Sequence, residues 1–462
     1  MSLAAEMIDP SPVSLPPGPG MPPFVQVLHW VYRPVELLRD SARRFGDAFT
    51  IRWPRYPPLV FVSHPDAIRD AFTGDPATFH AGPANVILRP ILGDRSLLLL
   101  DGERHARERR LMMPPFHGER MHAYGAAMRA IADASIDAWP TGRPFALHER
   151  TQAITLDVIL RTVFGVDEGA AFARLRGLIQ TLLEGSVARL MLLLVDRDGG
   201  ARGSRILRLL GPLSPWEKLA RLLGEIDRIL FAEIARRRAG DASREDVLSM
   251  LVAARDEHGA PMTDADLRDE MMTLLLAGHE TTATTLTWIV HRLLENPDVL
   301  ARLRDELPEG RDPATCEYLD AVVREAMRLT PIIPIVGRKL LAPARIGALA
   351  LPAGVVVAPC IYLAHRRADA WPDPERFDPA RFLGKKVSPY SFLPFGGGAR
   401  RCLGMAFAMF EMKLVVAQIV RRAALRHAPG YRGRLVRRGI TFALEGGLRL
   451  VADRIERAAP RP

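Results

Sequence analysis

The chain has 462 residues, 48% apolar and 25% charged, enough to bury a large core as one big enzyme domain or as two or three smaller ones. Its three cysteines, Cys316, Cys360 and Cys402, are far apart and odd in number; the count excludes a four-cysteine iron–sulfur cluster, and the spacing favours a reducing, cytoplasmic setting over a disulfide framework. The formal charge of +10 fits nucleic acid, an anionic membrane or an acidic protein partner, but the arginines are scattered instead of gathered in one tail, which weakens the nucleic-acid reading.

The N-terminus carries Glu6 and Asp9 and lacks the basic start and apolar core of a signal peptide. No apolar run reaches the ~20 residues of a membrane span, so no transmembrane anchor is expected. Residues 11–23 are too proline-rich for helix or central strand and predict an extended lead-in, which sets residues 1–23 apart from a single domain over 24–462. Strand-like runs follow at Ala48–Trp53 and Leu59–Ser63. From about Pro65 to Pro331 the pattern is mostly helical, broken at Asp196–Ser204 by a polar, glycine-rich stretch.

Within that region Thr263 is placed to cap a helix from about Asp264 to Glu295, stopping before Asn296-Pro297. Roughly 32 residues at about 1.5 Å each give ~48 Å, enough to cross the molecule. Its middle, Ala277-Gly278-His279-Glu280-Thr281-Thr282-Ala283-Thr284-Thr285, is a poor choice for a buried helix, because threonine hydroxyls bond back to carbonyls and loosen the backbone. Helix stability given up at the centre of a long element points to function. A zinc-protease reading of His279-Glu280 fails, since position 283 is Ala where a second His is needed.

After residue 340 the pattern predicts two hairpins. One joins Ile346–Leu351 to Val355–Ala358 around Pro352-Ala353-Gly354; the other joins Ile440–Leu444 to Leu448–Val451 around Gly446-Gly447. A helix is expected from about Leu403 to Arg422. The fold class is α+β, mainly helical, with a small β-rich portion.

The most informative segment is Pro394–Gly404, PFGGGARRCLG. Three glycines permit a tight turn and close approach to a flat ligand. Cys402 stands just before a helix, where free N–H groups and the helix dipole favour a thiolate, the ligand that pushes electron density into iron. A phosphate loop would end in Lys followed by Ser or Thr, and neither follows here.

Phe395, Gly398, Cys402 and Gly404 resemble the haem-binding loop of the cytochrome P450 family, Phe-x-x-Gly-x-x-x-Cys-x-Gly. Glu325-Ala326-Met327-Arg328 resembles the family's Glu-x-x-Arg pair, and Pro374–Phe377 the segment whose Arg376 closes that network. On a helix Glu325 and Arg328 share one face and suit a bidentate ion pair. Ala277–Thr282 resembles the oxygen-activation motif.

The resemblance implies a cytochrome P450 fold and haem b with Cys402 as axial thiolate. It implies haem contacts from Ala277, Pro394, Phe395, Gly396 and Gly404, with Ala277 and Gly278 leaving room above the ring. Propionate partners would be His105, where many relatives have Trp, with Arg109, Arg338 and Arg400. Thr281 would hydrogen-bond dioxygen, and Glu280 would connect it to solvent protons.

The implied activity is monooxygenation: one atom of dioxygen enters a lipophilic substrate, by hydroxylation or epoxidation, and the other leaves as water. Electrons would come from a separate ferredoxin or flavodoxin with its NAD(P)H reductase, since the chain has no room for a fused one. Arg104, Arg107, Arg110 and Arg401 are expected to form a basic docking patch on a monomer. A peroxide-driven or isomerising enzyme is the alternative, disfavoured by the intact Glu280-Thr281 pair; a non-catalytic haem sensor and a basic nucleic-acid binder are two more. Apolar segments at Ala81–Leu100, Val187–Val195, Leu274–Thr285, Pro331–Val336 and Ala443–Gly447 predict the pocket lining. The run Arg110–Met121 resembles lipid-hydroxylating bacterial members, a pointer to fatty acids, terpenoids or steroids.

Overall fold

Proline sets where many helices begin, because its fixed φ suits a first turn that needs no N–H partner. In the computed structural model, which describes residues 14–116, 120–165, 169–184, 215–240 and 246–457, helices α1 (Pro23–Tyr32), α2 (Pro34–Phe45) and α3 (Pro65–Thr73) all open this way. The helices longer than one turn continue with α4 (Gly102–Met112), α5 (Arg120–Asp137), α6 (Leu147–Phe164), α7 (Ala170–Glu184), α8 (Pro215–Arg238) and α9 (Val247–Ala253). Then come α10 (Asp264–Glu295), α11 (Pro297–Glu306), α12 (Glu317–Leu329) and α13 (Met405–Arg422). The segments Val187–Val195 and Asp196–Ser204 lie outside the described residues.

Helix α10 has the bounds its capping signals predict. Thr263 and Asp266 form a capping box, each side chain bonded to the other's backbone N–H (3.1 and 2.9 Å), and the helix stops at Asn296. Around α10 the helices bury one large apolar core, including Leu286, Ile289, Val323 and Val415. None of the described helices is long and apolar enough to cross a membrane.

Among the described residues the strands form a five-stranded sheet and smaller ones. The sheet runs β1 (Ala48–Ile51), β2 (Leu59–Val62), β8 (Val356–Pro359), β5 (Arg338–Leu340), β3 (Phe79–His80) in spatial order. A second sheet has the order β4 (Pro144–Ala146), β12 (Arg449–Ile455), β9 (Ala423–His427). Two separate pairs join β6 (Ala344–Ile346) to β7 (Leu349–Leu351) and β10 (Leu435–Arg438) to β11 (Thr441–Leu444). Pro17 and Gly18, ahead of α1, lie against β1: Thr50 N–H donates to Pro17 O (2.9 Å), and a Cβ on Gly18 would come within 1.9 Å of Thr50 O.

Neither predicted hairpin forms as paired. Gly347, at φ +56°, turns β7 back onto β6, and Pro352–Gly354 then carries the chain to β8, between parallel β2 and antiparallel β5. Likewise β11 pairs with β10 across Gly439-Ile440, whereas Gly446 and Gly447 deliver β12 to β9 and β4. A turn signal marks where the chain reverses and says nothing about which strand it then meets.

Candidate active site

The foundation is an ion pair built by helical spacing. Arg328 Nε and Nη2 donate to Glu325 Oε2 and Oε1 (2.7 and 2.8 Å), and neither residue is exposed. The remaining donors of Arg328 reach the carbonyls of His365, Pro374 and Arg376 (2.8, 2.8 and 3.1 Å). Arg376 therefore contributes its backbone, with its side chain exposed; the second cation beside Glu325 is Arg381, at 3.4 Å. Glu325 also accepts the N–H of Asp378 (2.9 Å). Every Arg328 donor and both Glu325 oxygens have a partner, the condition under which a buried ion pair is tolerated.

His365, which the sequence reading missed, joins this clamp to the glycine loop. Its Nδ1 pairs with Arg328 O (3.1 Å) and its Nε2 accepts from Leu393 N–H (2.9 Å), one residue before Pro394. Burial pushes its pKa down to about 3, so the ring is neutral, as the accepting Nε2 requires. In the loop, Gly396 and Gly398 have φ of +67° and +65°, and a Cβ on Gly398 would strike Phe72 O at 2.0 Å. Cys402 N–H donates to Phe395 O (2.9 Å), closing the loop; Pro394 and Phe395 are half-buried.

Cys402 is exposed, yet burial pushes its thiol pKa up, opposed by a bond from the Gly404 backbone and by Arg109 and Arg401. The two facts agree if the surface it presents is internal. Cys316 and Cys360 are buried in the core. No Cβ on Gly396 or Gly404 would meet anything within 4 Å, and Ala277 is exposed in the middle of α10 between mostly buried stretches.

Beside the loop sits a group of cations short of anions. His105 and Arg109 lie one turn apart on α4, and neither side chain has a hydrogen bond or ion pair among the described residues. His105 is pushed down to about 4 by burial and by Arg400, Arg109 and Arg338. Arg338 is pushed down to about 10, by burial and then by Arg400; it bonds only the neighbouring Gly337 carbonyl (2.9 Å). Arg400 turns instead to Asp101 and to the carbonyls of Leu97 and Leu100. Asp101 also accepts Ala81 and Gly82 N–H (both 2.9 Å), so the 81–101 segment is fastened to the cysteine loop.

At the centre of α10, Thr281 Oγ1 donates to Ala277 O (2.6 Å) and Thr285 Oγ1 to Thr281 O (2.7 Å). Glu280 is held by α6: Gln152 Nε2 donates to Oε2 (2.6 Å), and His148 Nε2 stands 3.5 Å from Oε1. Burial works to raise its pKa, but His148, Gln152 and His279 outweigh that and bring it down to about 2. Gly278 does not face the same side as Ala277. A Cβ there would meet Ile159 of α6 at 2.7 Å, so its small size serves helix packing and not room above a ligand.

The family model for cytochrome P450 matches residues 16–432. The chain is 43% identical over 420 residues to a Mycobacterium tuberculosis protein named cytochrome P450 135B1, covering 90% of this chain and 86% of that one. It is 37% identical over 446 residues to cytochrome P450 135A1 of the same species, covering 95% and 96%. The chain belongs to the cytochrome P450 family. Among solved structures, a retinoic acid-bound cyanobacterial CYP120A1 matches with TM-score 0.82 and 26% identity, over 96% of this chain and all of that one. The haem domain of cytochrome P450DA, at 23% identity and TM-score 0.81, shares the fold over 96% and 99%.

A P450 carries haem through a cysteine thiolate, and the residues of this P450 fit that group. Cys402 is the exposed cysteine; Gly396 and Gly404 of its loop border the open space a flat ring needs; and the cation group is short of the carboxylates that propionates bring. Coordination deprotonates a thiol outright, which overrides the effect of burial on Cys402.

Proposed function

We propose that this P450 is a monomeric, cytoplasmic monooxygenase that hydroxylates or epoxidises a lipophilic substrate with electrons from a ferredoxin or flavodoxin and its NAD(P)H reductase. The observation that carries the reading is the intact Glu280-Thr281 pair in the exposed, loosened middle of α10. Residues 24–462 act as one domain, with Pro16–Gly18 of the lead-in laid along β1. Bound haem supplies the chemistry that splits dioxygen, using two electrons and two protons per turnover. Cys402 holds its iron; His105, Arg109 and Arg338 neutralise its propionates, joined by Arg400 if that side chain leaves Asp101; and Ala277, Pro394, Phe395, Gly396 and Gly404 bound the ring.

Thr281 takes part as an alcohol that is both donor and acceptor. Its proton now satisfies Ala277 O, and turning it inward frees one carbonyl of a helix already weakened at Thr285. Glu280, fixed on α6, is an anchored acceptor through which protons reach Thr281.

Two arginines of the lining segments are neutralised by carboxylates, which supports an apolar substrate. Arg89 pairs with Asp94 (2.9 Å) and Arg95 with Asp266 (3.0 Å). The related CYP120A1 was solved with retinoic acid, an apolar chain ending in a carboxylate, so retinoids belong beside fatty acids, terpenoids and steroids in a test panel.

The docking patch narrows. Arg107 is tied to Asp256 and Glu108, and Arg110 to Glu257 (3.1 Å), which leaves Arg104 and Arg401 as exposed cations for an acidic donor.

The test is the absorption spectrum of the purified holoprotein titrated with that panel, followed by turnover with a ferredoxin system. A Soret band moving toward high-spin iron with one ligand class, and oxygenated product from it, is the expected result. Binding without product in the presence of a competent donor would overturn the monooxygenase reading.

A further inference from the structure

The chain surrounds Glu280 with more than an acid needs in order to be held in place. Gln152 (2.6 Å) and Thr284 (3.3 Å) already donate to its two oxygens. His148, buried at the start of α6, adds an imidazole 3.5 Å from Oε1, and Arg438 of β10 stands 4.0 Å from the same oxygen with its side chain 41% exposed. From the β11–β12 turn, Gly447 closes over the imidazole: a Cβ there would lie 3.1 Å from His148 Cβ. His279, next to Glu280 on α10, is kept neutral by burial, which pushes it down to about 4. Glu149, next to His148 on α6, is exposed.

The hydrogen-bond account around His148 is informative. Thr287 Oγ1 lies 2.8 Å from Ala283 O, 3.1 Å from Thr151 Oγ1 and 3.5 Å from His148 Nδ1, so whether it donates to the ring or accepts from it follows the ring's protonation. Thr151 Oγ1 lies within 3.0 Å of the His148 and Ala283 carbonyls, which take its proton. One ring nitrogen thus faces a threonine hydroxyl, and the other, buried and without a hydrogen bond, stands 3.5 Å from the Glu280 carboxylate. A neutral ring carries one N–H and satisfies one of them; a doubly protonated ring satisfies both.

We propose that His148 is a proton-holding, positioning residue behind the Glu280-Thr281 pair. The proposal rests on the monooxygenase reading above. In the step it describes, the proton on His148 Nε2 passes to Glu280 Oε1, leaving a neutral imidazole and a carboxylic acid. The acid releases that proton toward Thr281, and the imidazole regains one from solvent on the Arg438 side. One proton moves and nothing is oxidised or reduced. His148 gives the pair a second protonatable group 3.5 Å from Glu280 Oε1.

The test has two arms. In the first, ring-15N-histidine holoprotein is followed by NMR against pH in the diamagnetic ferrous carbon monoxide form, with His148 assigned by loss of its signals in His148→Gln. Two protonated nitrogens at neutral pH, reverting to a neutral ring in Glu280→Gln, are expected; a neutral His148 in the wild-type protein overturns the proposal. In the second, His148→Gln keeps a donor toward Glu280 but cannot hold an extra proton. Its donor-driven, coupled dioxygen consumption is expected to fall on the order of a hundredfold, with peroxide released instead and an altered pH profile and solvent isotope effect. An unchanged profile and isotope effect would overturn it as well. Should that variant lose haem, Thr287→Val removes the hydroxyl beside Nδ1 together with its contacts to Ala283 O and Thr151, and the doubly protonated fraction at neutral pH is expected to drop. If the wild-type protein consumes no dioxygen with any donor, the monooxygenase reading fails, while the NMR arm still decides the state of His148.

Discussion

Arg328 and Arg338 are both buried, and their surroundings differ completely. Arg328 spends its donors on two carboxylate oxygens and three carbonyls. Arg338 bonds one neighbouring carbonyl, lies among Arg400 and His105, and has its pKa pushed down to about 10 by burial and then by Arg400. A buried cation with every donor satisfied is a structural clamp. A buried cation that the chain leaves short of anions is a binding site, whose partner arrives from outside. The first arginine ties together the segments around His365, Pro374 and Arg376; the second belongs to the haem site proposed above.

The contrast can be broken at the clamp first, where the largest effect is expected. Glu325→Gln leaves Arg328 buried against a neutral amide and should cost about 3–5 kcal/mol, read in denaturant melts together with loss of haem content. A melt matching the wild type would remove the distinction altogether.

Next comes the opposite behaviour at the cation group. Arg338→Met removes a desolvated charge, so the haem-free chain should melt no lower than wild type and even somewhat higher. The same variant should lose haem affinity by about 10- to 100-fold, the worth of one charge-assisted hydrogen bond, measured by competition with a haem acceptor protein. Equal loss in both states would make Arg338 a structural residue like Arg328.

His365 sharpens the comparison because it links the two regions. His365→Ala deletes the bonds to Leu393 N and Arg328 O and should cost about 1–3 kcal/mol. In the carbon monoxide complex the Soret band should shift from the thiolate toward the neutral thiol position, and His365→Asn should restore part of it.

The last effect is spread over pH. His279, His291 and His365 sit at about 4, 3 and 3 in the folded chain, pushed down from 6.5 chiefly by burial. The unfolded chain binds protons near 6.5 and the folded chain only near 3–4. Their contribution is therefore complete above about pH 6.5 and is lost progressively as pH falls through that window. Melting temperatures taken downward from about pH 8 should decline there, and less steeply in His365→Asn.

How far each feature was legible follows the range of the interaction behind it. The sequence by itself determined both ends of α10, because a Thr263–Asp266 box and an Asn296-Pro297 stop act within one turn. It determined the Glu325–Arg328 pair by helical spacing and the cysteine loop by glycines that accept positive φ. Tertiary structure alone decided that β7 returns to β6 and β12 goes to β9, since a turn residue cannot name the strand beyond it. It decided that Gly278 packs on Ile159, that Arg381 and not Arg376 stands beside Glu325, and that Arg107 is neutralised by Asp256, 149 positions away. The same holds for His148 and Gln152 on Glu280, where α6 meets α10. Local contacts are written in spacing along one chain; distant ones depend on which faces the whole core brings together, and spacing carries no record of that.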